Sequence, residues 1–210
     1  MKNIVIVGSG GFAKEVAFLI EEINKKEKQW NLLGFIDKEV GKNNGKYKIF
    51  QNDSWLEKTK DKISVVFGVG DNNLIQKLSD KFQLNQNLNF PNLKHPDIIG
   101  DWERIKLGKG NIFAAGNILT TDIEIGSFNI FNLDCTVGHD TVIGNYNIFN
   151  PSTNISGGIS IENKVMIGTG TQILQYLKIC SATIIGAGAV VTKNISQSGV
   201  YVGSPARKIK

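Results

Sequence analysis

A six-residue repeat through the second half of the chain is the feature that most constrains its fold. Every sixth position from residue 107 to residue 191 carries a large apolar side chain, without one insertion or deletion. Because 41% of the residues are hydrophobic, chance would give this agreement with a frequency of about one in a million. The fifteen positions are Leu107, Phe113, Leu119, Ile125, Phe131, Val137, Ile143, Phe149, Ile155, Ile161, Ile167, Ile173, Ile179, Ile185 and Val191.

The residues between these positions indicate how the chain turns. Glycine follows the apolar residue at several of them, and Gly, Asn, Ser and Thr suit tight corners. One hexad cannot bury its own large side chain, but stacked hexads form a continuous apolar column. The repeat therefore predicts a coil of short parallel strands rather than a sandwich, which would not hold a register of six. The glycines are Gly108, Gly126, Gly138, Gly144, Gly168 and Gly186.

The first part of the chain has a different pattern, in which strands and helices alternate. Apolar runs at 4–7, 32–36 and 64–67 predict strands, and residues 12–23 and 74–82 have helical spacing. Such alternation is typical of a small parallel sheet with crossover helices. We therefore predict an α/β Rossmann-like βαβαβ domain at residues 1–93, followed by an all-β coil domain at residues 94–210.

A glycine-rich loop separates the first predicted strand from the first predicted helix. Taken alone, it suggests dinucleotide binding, although it fits GxGxxG only loosely because Ala13 takes the third position. An NAD-linked enzyme would need a larger domain than these 93 residues. Polar residues also follow the second and third strands, whose carboxyl ends meet at the same edge. The candidate substrate-binding residues are Gly8, Gly10, Gly11, Asp37, Gly70, Asp71 and Asn72.

The repeat, together with IVIVGSGGFAKEV, LLGFID, VVFGVGDNN and LKHP, resembles the hexapeptide-repeat acyltransferases. Within them it resembles the sugar O- and N-acetyltransferases of the sialic-acid acetyltransferase type, across essentially the whole chain. The resemblance implies a left-handed parallel β-helix with three hexads per turn, so that fifteen hexads make five turns. It also implies acetyl-CoA as the acyl donor, a homotrimer, and a loop and helix N-terminus that hold the phosphates of a nucleotide-linked sugar.

The resemblance also implies roles for single residues. His139 in VGHDTVIG takes the place of the family's proposed general base, and a neutral imidazole can accept a proton at neutral pH. An acidic partner would orient this histidine. Asp140 is favoured over Asp134, although successive strand residues point to opposite faces. Without the resemblance, His139 could equally be a surface residue at a corner of the coil.

Backbone contacts to the acyl donor are implied at Gly157 and Ala187. Arg207, near the C-terminus, could meet the phosphates of CoA. The alternatives without a binding role are that Gly157 and Ala187 are ordinary corner residues and that Arg207 belongs to a solvated basic tail.

The function predicted from these features is acetyl transfer from acetyl-CoA to a UDP- or dTDP-linked amino sugar. We expect a 4-amino-4,6-dideoxy sugar used in surface-glycan synthesis, such as lipopolysaccharide O-antigen. An O-acetyltransferase acting on sialic acid is the nearest alternative. In a different class, the coil could be a non-catalytic trimeric scaffold that carries a sugar-nucleotide sensor.

Composition sets the remaining expectations. The net charge of +5 suits anionic small substrates, but the sequence lacks the clustered basic and aromatic pattern of a nucleic-acid binder. The two cysteines, Cys135 and Cys180, suggest neither a disulfide framework nor a metal site. We find no apolar run of about 18 residues and no signal-peptide layout, so we expect a cytoplasmic protein without a membrane span.

Overall fold

The structure is a computed structural model that describes residues 1–210. The chain divides into two compact units, Met1–Pro96 and Asp97–Lys210. The predicted fold class is confirmed, because the first unit is Rossmann-like and the second is a coil of short parallel strands. None of the helices combines the length and the apolar character needed to cross a membrane.

A six-stranded sheet with three helices forms most of the first unit. The sheet order is β3-β4-β2-β1-β5-β6, and all neighbours are parallel except the β3–β4 hairpin. The elements are β1 (Lys2–Val7), α1 (Gly11–Lys26), β2 (Trp30–Ile36), β3 (Asn43–Asn44), β4 (Tyr47–Gln51), α2 (Asp53–Lys58), β5 (Ile63–Phe67), α3 (Asn72–Phe82), β6 (Leu88–Asn89) and β7 (Leu93–Lys94).

The strongly patterned elements of this unit lie where the sequence predicts them. In α1 the apolar residues at helical spacing, among them Val16, Leu19 and Ile23, are buried. Strand β4 and helix α2 were missed, because each is too short to show a clear period. The only sequence signal for α2 is its N-cap residue, Asn52. In the structure the Asn52 side chain accepts a hydrogen bond from the Trp55 N–H at 3.1 Å.

Close packing of α1 on the sheet depends on Gly68, directly after β5. A Cβ at this position would lie 2.7 Å from the Cα of Ala13 and 2.6 Å from the Ile6 side chain. The glycine therefore lets the first turn of α1 approach the strand ends. This contact fixes the helix N-terminus at the carboxyl edge of the sheet.

The second unit consists almost entirely of two- and three-residue strands. These are β8 (Ile99–Gly100), β9 (Ile105–Leu107), β10 (Ile112–Phe113), β11 (Ile118–Leu119), β12 (Ile123–Ile125), β13 (Ile130–Phe131), β14 (Thr136–Val137), β15 (Val142–Ile143), β16 (Ile148–Phe149), β17 (Asn154–Ile155), β18 (Ser160–Ile161), β19 (Met166–Ile167), β20 (Gln172–Ile173), β21 (Lys178–Ile179), β22 (Thr183–Ile185), β23 (Val190–Val191), β24 (Gly199–Val202) and β25 (Arg207–Lys208).

Apart from β25, these strands form three parallel sheets, which are the walls of a triangular coil. Partners are 18 residues apart, as in the pairing of Phe113 with Phe131, so three hexads make one turn. We call the wall of β9, β12, β15, β18 and β21 face one. Face two contains β10, β13, β16, β19, β22 and β24, and face three contains β8, β11, β14, β17, β20 and β23.

The hexad side chains fill the interior of the coil as predicted. All are buried except Leu107, in the first turn, which is partly buried. On face two the rings of Phe113, Phe131 and Phe149 stack with centroids 4.8 and 4.5 Å apart. The sequence predicts this column because an 18-residue turn brings identical hexad positions into register.

Buried asparagines at the same interval support the backbone inside the coil. The Asn111 side-chain oxygen accepts from the Asn129 N–H at 2.9 Å, and that of Asn129 accepts from the Asn147 N–H at 2.8 Å. The ladder ends where Val165 donates its N–H to Asn147 at 2.8 Å. These bonds satisfy polar groups that burial would otherwise leave unpaired.

Candidate active site

The corners between the walls form three straight edges along the coil. We call residues 121–122, 139–140, 157–158 and 175–176 the His139 edge, and residues 115–116, 133–134, 151–152, 169–170 and 187–188 the Ala187 edge. On both edges the second corner residue has a left-handed backbone, at a φ of +57° for Asp140 and +61° for Asp134. Both edges border face three. The chain passes the Ala187 edge before each strand of that wall and the His139 edge after it.

His139 and Asp140 form a hydrogen-bonded pair on their edge. The Nδ1 of His139 lies 2.7 Å from Oδ2 of Asp140, and both side chains are more than half exposed. The alternation argument against this pair does not apply, because neither residue is on a strand: β14 ends at Val137 and β15 begins at Val142. Asp134, the other candidate partner, lies on the Ala187 edge, where its carboxylate accepts from the Ser152 hydroxyl at 3.5 Å.

Gly157, one turn further along the same edge, lies beneath the imidazole. A Cβ at this position would lie 2.5 Å from Nε2 of His139. The glycine therefore leaves open the space next to the free ring nitrogen. The His139 carbonyl accepts a 2.7 Å hydrogen bond from the Gly158 N–H, which fixes the two turns to each other.

The other two predicted cofactor-binding residues lie elsewhere in the same chain. Ala187 is on the Ala187 edge, across face three from His139. Arg207 is exposed in β25, which pairs antiparallel with β24 at the end of the coil. The structure thus brings His139, Asp140 and Gly157 together within one chain, but not Ala187 or Arg207.

An ion pair holds the turn before His139. Arg104 donates two hydrogen bonds to the carboxylate of Asp122, at 3.0 and 2.5 Å. This bidentate geometry fixes Asp122, which stacks next to Asp140 along the edge, about 4.8 Å away in the stacking direction. Its charge is thereby compensated, which leaves Asp140 as the carboxylate paired with His139.

In the first unit, a cleft of about 490 Å³ opens at the carboxyl edge of the sheet. Gly8 and Asp37, both predicted from the sequence, line it. The Ser9 hydroxyl donates to Oδ2 of Asp37 at 2.5 Å, and the Lys38 N–H donates to Oδ1 at 2.7 Å. Gly10 caps α1 and Gly11 is its first residue, with no side chain bonded to the helix N-terminus. That terminus is therefore free to bind an anion.

The third predicted group lies at the N-terminus of α3. The carboxylate of Asp71 caps α3 by accepting the Leu74 N–H at 2.7 Å, and Asn72 is buried as the first helical residue. Neither of them, nor Gly70, lines the cleft. Their predicted contact with substrate stays a prediction.

Sequence reasoning missed several residues that line this cleft. Residues 52–54 come from a segment that showed no motif, although the Asn52 cap was a readable signal for where α2 begins. Lys38 directly follows Asp37, and Val69 lies within VVFGVGDNN. Residues 52–54 and Val69, which are distant from Asp37 in sequence, lie beside it only because the chain returns to the same edge of the sheet. The missed residues are Lys38, Asn52, Asp53, Ser54 and Val69.

The cysteines take no part in either site. Both are free thiols, and no group of His, Cys, Asp and Glu side chains could hold a metal ion. Cys135 is buried in the coil, and burial raises the pKa of its thiol to about 11. A thiol in this environment stays protonated and unreactive at neutral pH.

Comparison with known protein families gives a match to the first unit. Residues 3–82 match the PglD N-terminal domain. No curated protein matches the chain.

Solved structures match the whole chain. They include WeeI from Acinetobacter baumannii (28% identity, TM-score 0.85, 100% of each chain covered). PerB from Caulobacter crescentus, in complex with CoA and GDP-perosamine, matches at 25% identity and a TM-score of 0.90, over 100% of this chain and 98% of that one. The acetyltransferase domain of PglB from Neisseria gonorrhoeae matches at 22% identity and a TM-score of 0.91, with both chains fully covered.

The resemblance to the hexapeptide-repeat sugar N-acetyltransferases is confirmed. The predicted enzyme class, an acyltransferase, agrees with the Caulobacter neighbour, which was solved with CoA and GDP-perosamine. The Neisseria domain has also been solved with acetyl coenzyme A.

Proposed function

We propose that this sugar N-acetyltransferase acts on a nucleotide-linked amino sugar, with His139 as its general base. The observation that carries the proposal is the 2.7 Å contact between Nδ1 of His139 and Asp140. In this proposal Nδ1 donates its proton to the Asp140 carboxylate, and Nε2, above Gly157, is the nitrogen that accepts a proton. The assignment of an attacking amine as the acceptor is supported by the Caulobacter neighbour, which was solved with GDP-perosamine.

The reaction is a direct transfer without an acyl-enzyme. The sugar amine attacks the thioester carbonyl of acetyl-CoA, the C–N bond forms, and the tetrahedral intermediate expels CoA as its thiolate. Nε2 of His139 accepts the proton that the nitrogen loses, and Asp140 stabilises the resulting imidazolium. That proton can then pass to the sulfur of the leaving group.

The developing oxyanion requires a donor close to the base. The Gly157 N–H donates no hydrogen bond within the chain, and the residue lies directly beneath Nε2. We assign this N–H to the oxyanion. A backbone donor in a fixed corner needs no reorganisation during the reaction, which is the condition for effective electrostatic stabilisation.

The first unit binds the nucleotide in this proposal. Its cleft offers the Asp37 carboxylate to N–H or hydroxyl donors of the base or ribose, while the N-terminus of α1 attracts the diphosphate. The UDP- and dTDP-linked sugars expected from the sequence, and a GDP-linked sugar like that of the Caulobacter complex, are the candidates. We expect a 4-amino-4,6-dideoxy sugar destined for a surface glycan, made in the cytoplasm.

The separation of Ala187 from His139 supports a homotrimeric enzyme. Exposed apolar residues lie on face three, with Ile99 64% and Ile118 40% exposed, and Leu133 on the Ala187 edge is also exposed. If three copies pack with face three toward a common axis, the His139 edge of each meets the Ala187 edge of the next. The acyl donor would then lie between two subunits and contact Gly157 of one and Ala187 of the other.

The test is an assay of free CoA released from acetyl-CoA with different acceptors. UDP-, dTDP- and GDP-linked 4-amino-4,6-dideoxy sugars are compared with free sialic acid, and the product is analysed by mass spectrometry. Amide formation on a nucleotide-linked sugar is the expected result. Turnover of sialic acid alone would show O-acetylation instead, and no CoA release with any acceptor would favour a non-catalytic scaffold.

A further inference from the structure

Two aromatic rings approach the same pair of glycines on the His139 edge. The imidazole of His139 extends toward Gly157 from the preceding turn. The phenol ring of Tyr176 extends toward Gly158 from the following turn, so that a Cβ on Gly158 would overlap with Cδ1 and Cε1 of the ring. Along the edge, Gly157 and Gly158 thus lie between the turn that carries His139 and the turn that carries Tyr176, and each glycine is next to one of the two rings.

The position of Tyr176 on the coil explains how its ring is held. Tyr176 lies two turns after Asp140 on one edge, or about 10 Å along the coil axis. Its backbone is left-handed, with a φ of +59°, and its N–H donates to the Gly157 carbonyl at 3.1 Å. The hydroxyl makes no hydrogen bond within the chain, and the residue is 72% exposed. The ring is thus placed by the corner and by the missing side chain of Gly158, rather than by its polar group.

We propose that Tyr176 limits the length of the acyl group that the enzyme transfers. This inference rests on the proposed function, which places the thioester carbonyl beside Nε2 of His139 and the Gly157 N–H. A short acyl chain attached there fits between the imidazole and the phenol. Each further methylene group extends into space that the ring of Tyr176 occupies, so the site selects acetyl over longer acyl groups.

The experiment compares acetyl-CoA with butyryl-CoA as donors for Tyr176→Ala, Tyr176→Phe and the wild type. A methylene group accommodated or refused by an apolar pocket changes kcat/KM by roughly 10- to 200-fold. We expect Tyr176→Ala to shift the ratio of the two kcat/KM values at least tenfold toward butyryl-CoA. Tyr176→Phe keeps the ring and should keep the wild-type ratio.

A matched control is available in Tyr146, which has the same left-handed backbone at a φ of +60° but lies on the third edge. Tyr146→Ala should leave the donor ratio unchanged. Alanine is tolerated at such corners, since Ala182 adopts a φ of +56° in this chain.

The failure of this inference is distinguishable from the failure of the proposed function. An active wild type whose donor ratio is the same in Tyr176→Ala overturns the role of Tyr176 and leaves the acetyltransferase assignment intact. If Tyr146→Ala shifts the ratio as much as Tyr176→Ala, the effect is not local and the inference is also wrong. A wild type that transfers no acetyl group to any acceptor overturns both.

Discussion

Asp140 reaches the ring of its neighbour His139 because its backbone is left-handed at a corner of the coil. On an extended strand the two side chains would point to opposite sides. The corner therefore produces a base and its orienting carboxylate from consecutive residues.

Replacing His139 tests the base directly. We expect His139→Ala to lower kcat by about 10²- to 10⁴-fold, because the proton acceptor is lost while the coil stays intact. Steady-state kinetics and a thermal melt would measure the two effects. Near-wild-type activity in a folded variant would contradict the assignment.

Asp140→Asn keeps the size of the orienting side chain but removes its charge. An amide can donate to Nδ1, which would leave the Nε2 nitrogen protonated and unable to accept a proton. We expect kcat to fall at least tenfold with little change in the KM for acetyl-CoA. Asp61→Asn, which changes an exposed aspartate of the first unit, is the control and should behave as the wild type.

Gly157→Ala places a methyl group 2.5 Å from Nε2 of His139, so the ring must move. We expect most activity to be lost although the position has no left-handed backbone to strain. An active Gly157→Ala enzyme would argue against both the oxyanion role and the position of the base.

Asp37→Ala tests the nucleotide cleft separately from the coil. Calorimetric titration with UDP, dTDP and GDP should identify the preferred nucleotide for the wild type, and the variant should bind it at least tenfold more weakly. CoA binding should be unchanged. Asp61→Asn, an exposed change elsewhere in the same unit, should have no effect, and equal loss in both variants would speak against a specific contact.

Phe131→Ala tests the interior column. The ring lies fully buried between Phe113 and Phe149, so its removal leaves a cavity. We expect a loss of about 3–5 kcal/mol in the free energy of unfolding, measured by chemical denaturation. A loss below about 1 kcal/mol would mean that neighbouring turns collapse into the space.

Hexad spacing was enough to predict a coil, because side chains repeated every sixth residue can be buried together when the hexads stack. The resemblance supplied three hexads per turn. Apolar runs and helical spacing likewise predicted β1, α1, β2, β5 and α3, whereas β4 and α2 were too short to show a period. His139 and Gly157 could be named from the resemblance, since a motif keeps its place in the repeat, and Asp140 could be named because it is adjacent to His139.

Tertiary structure decided which of the candidates meet. The left-handed corner brought Asp140 to His139, and stacking at intervals of 18 residues placed Gly157 under one ring and Gly158 under that of Tyr176. The same stacking put Ala187 on another edge. These contacts depend on backbone angles and on turns that are distant in sequence, which neither composition nor local spacing encodes.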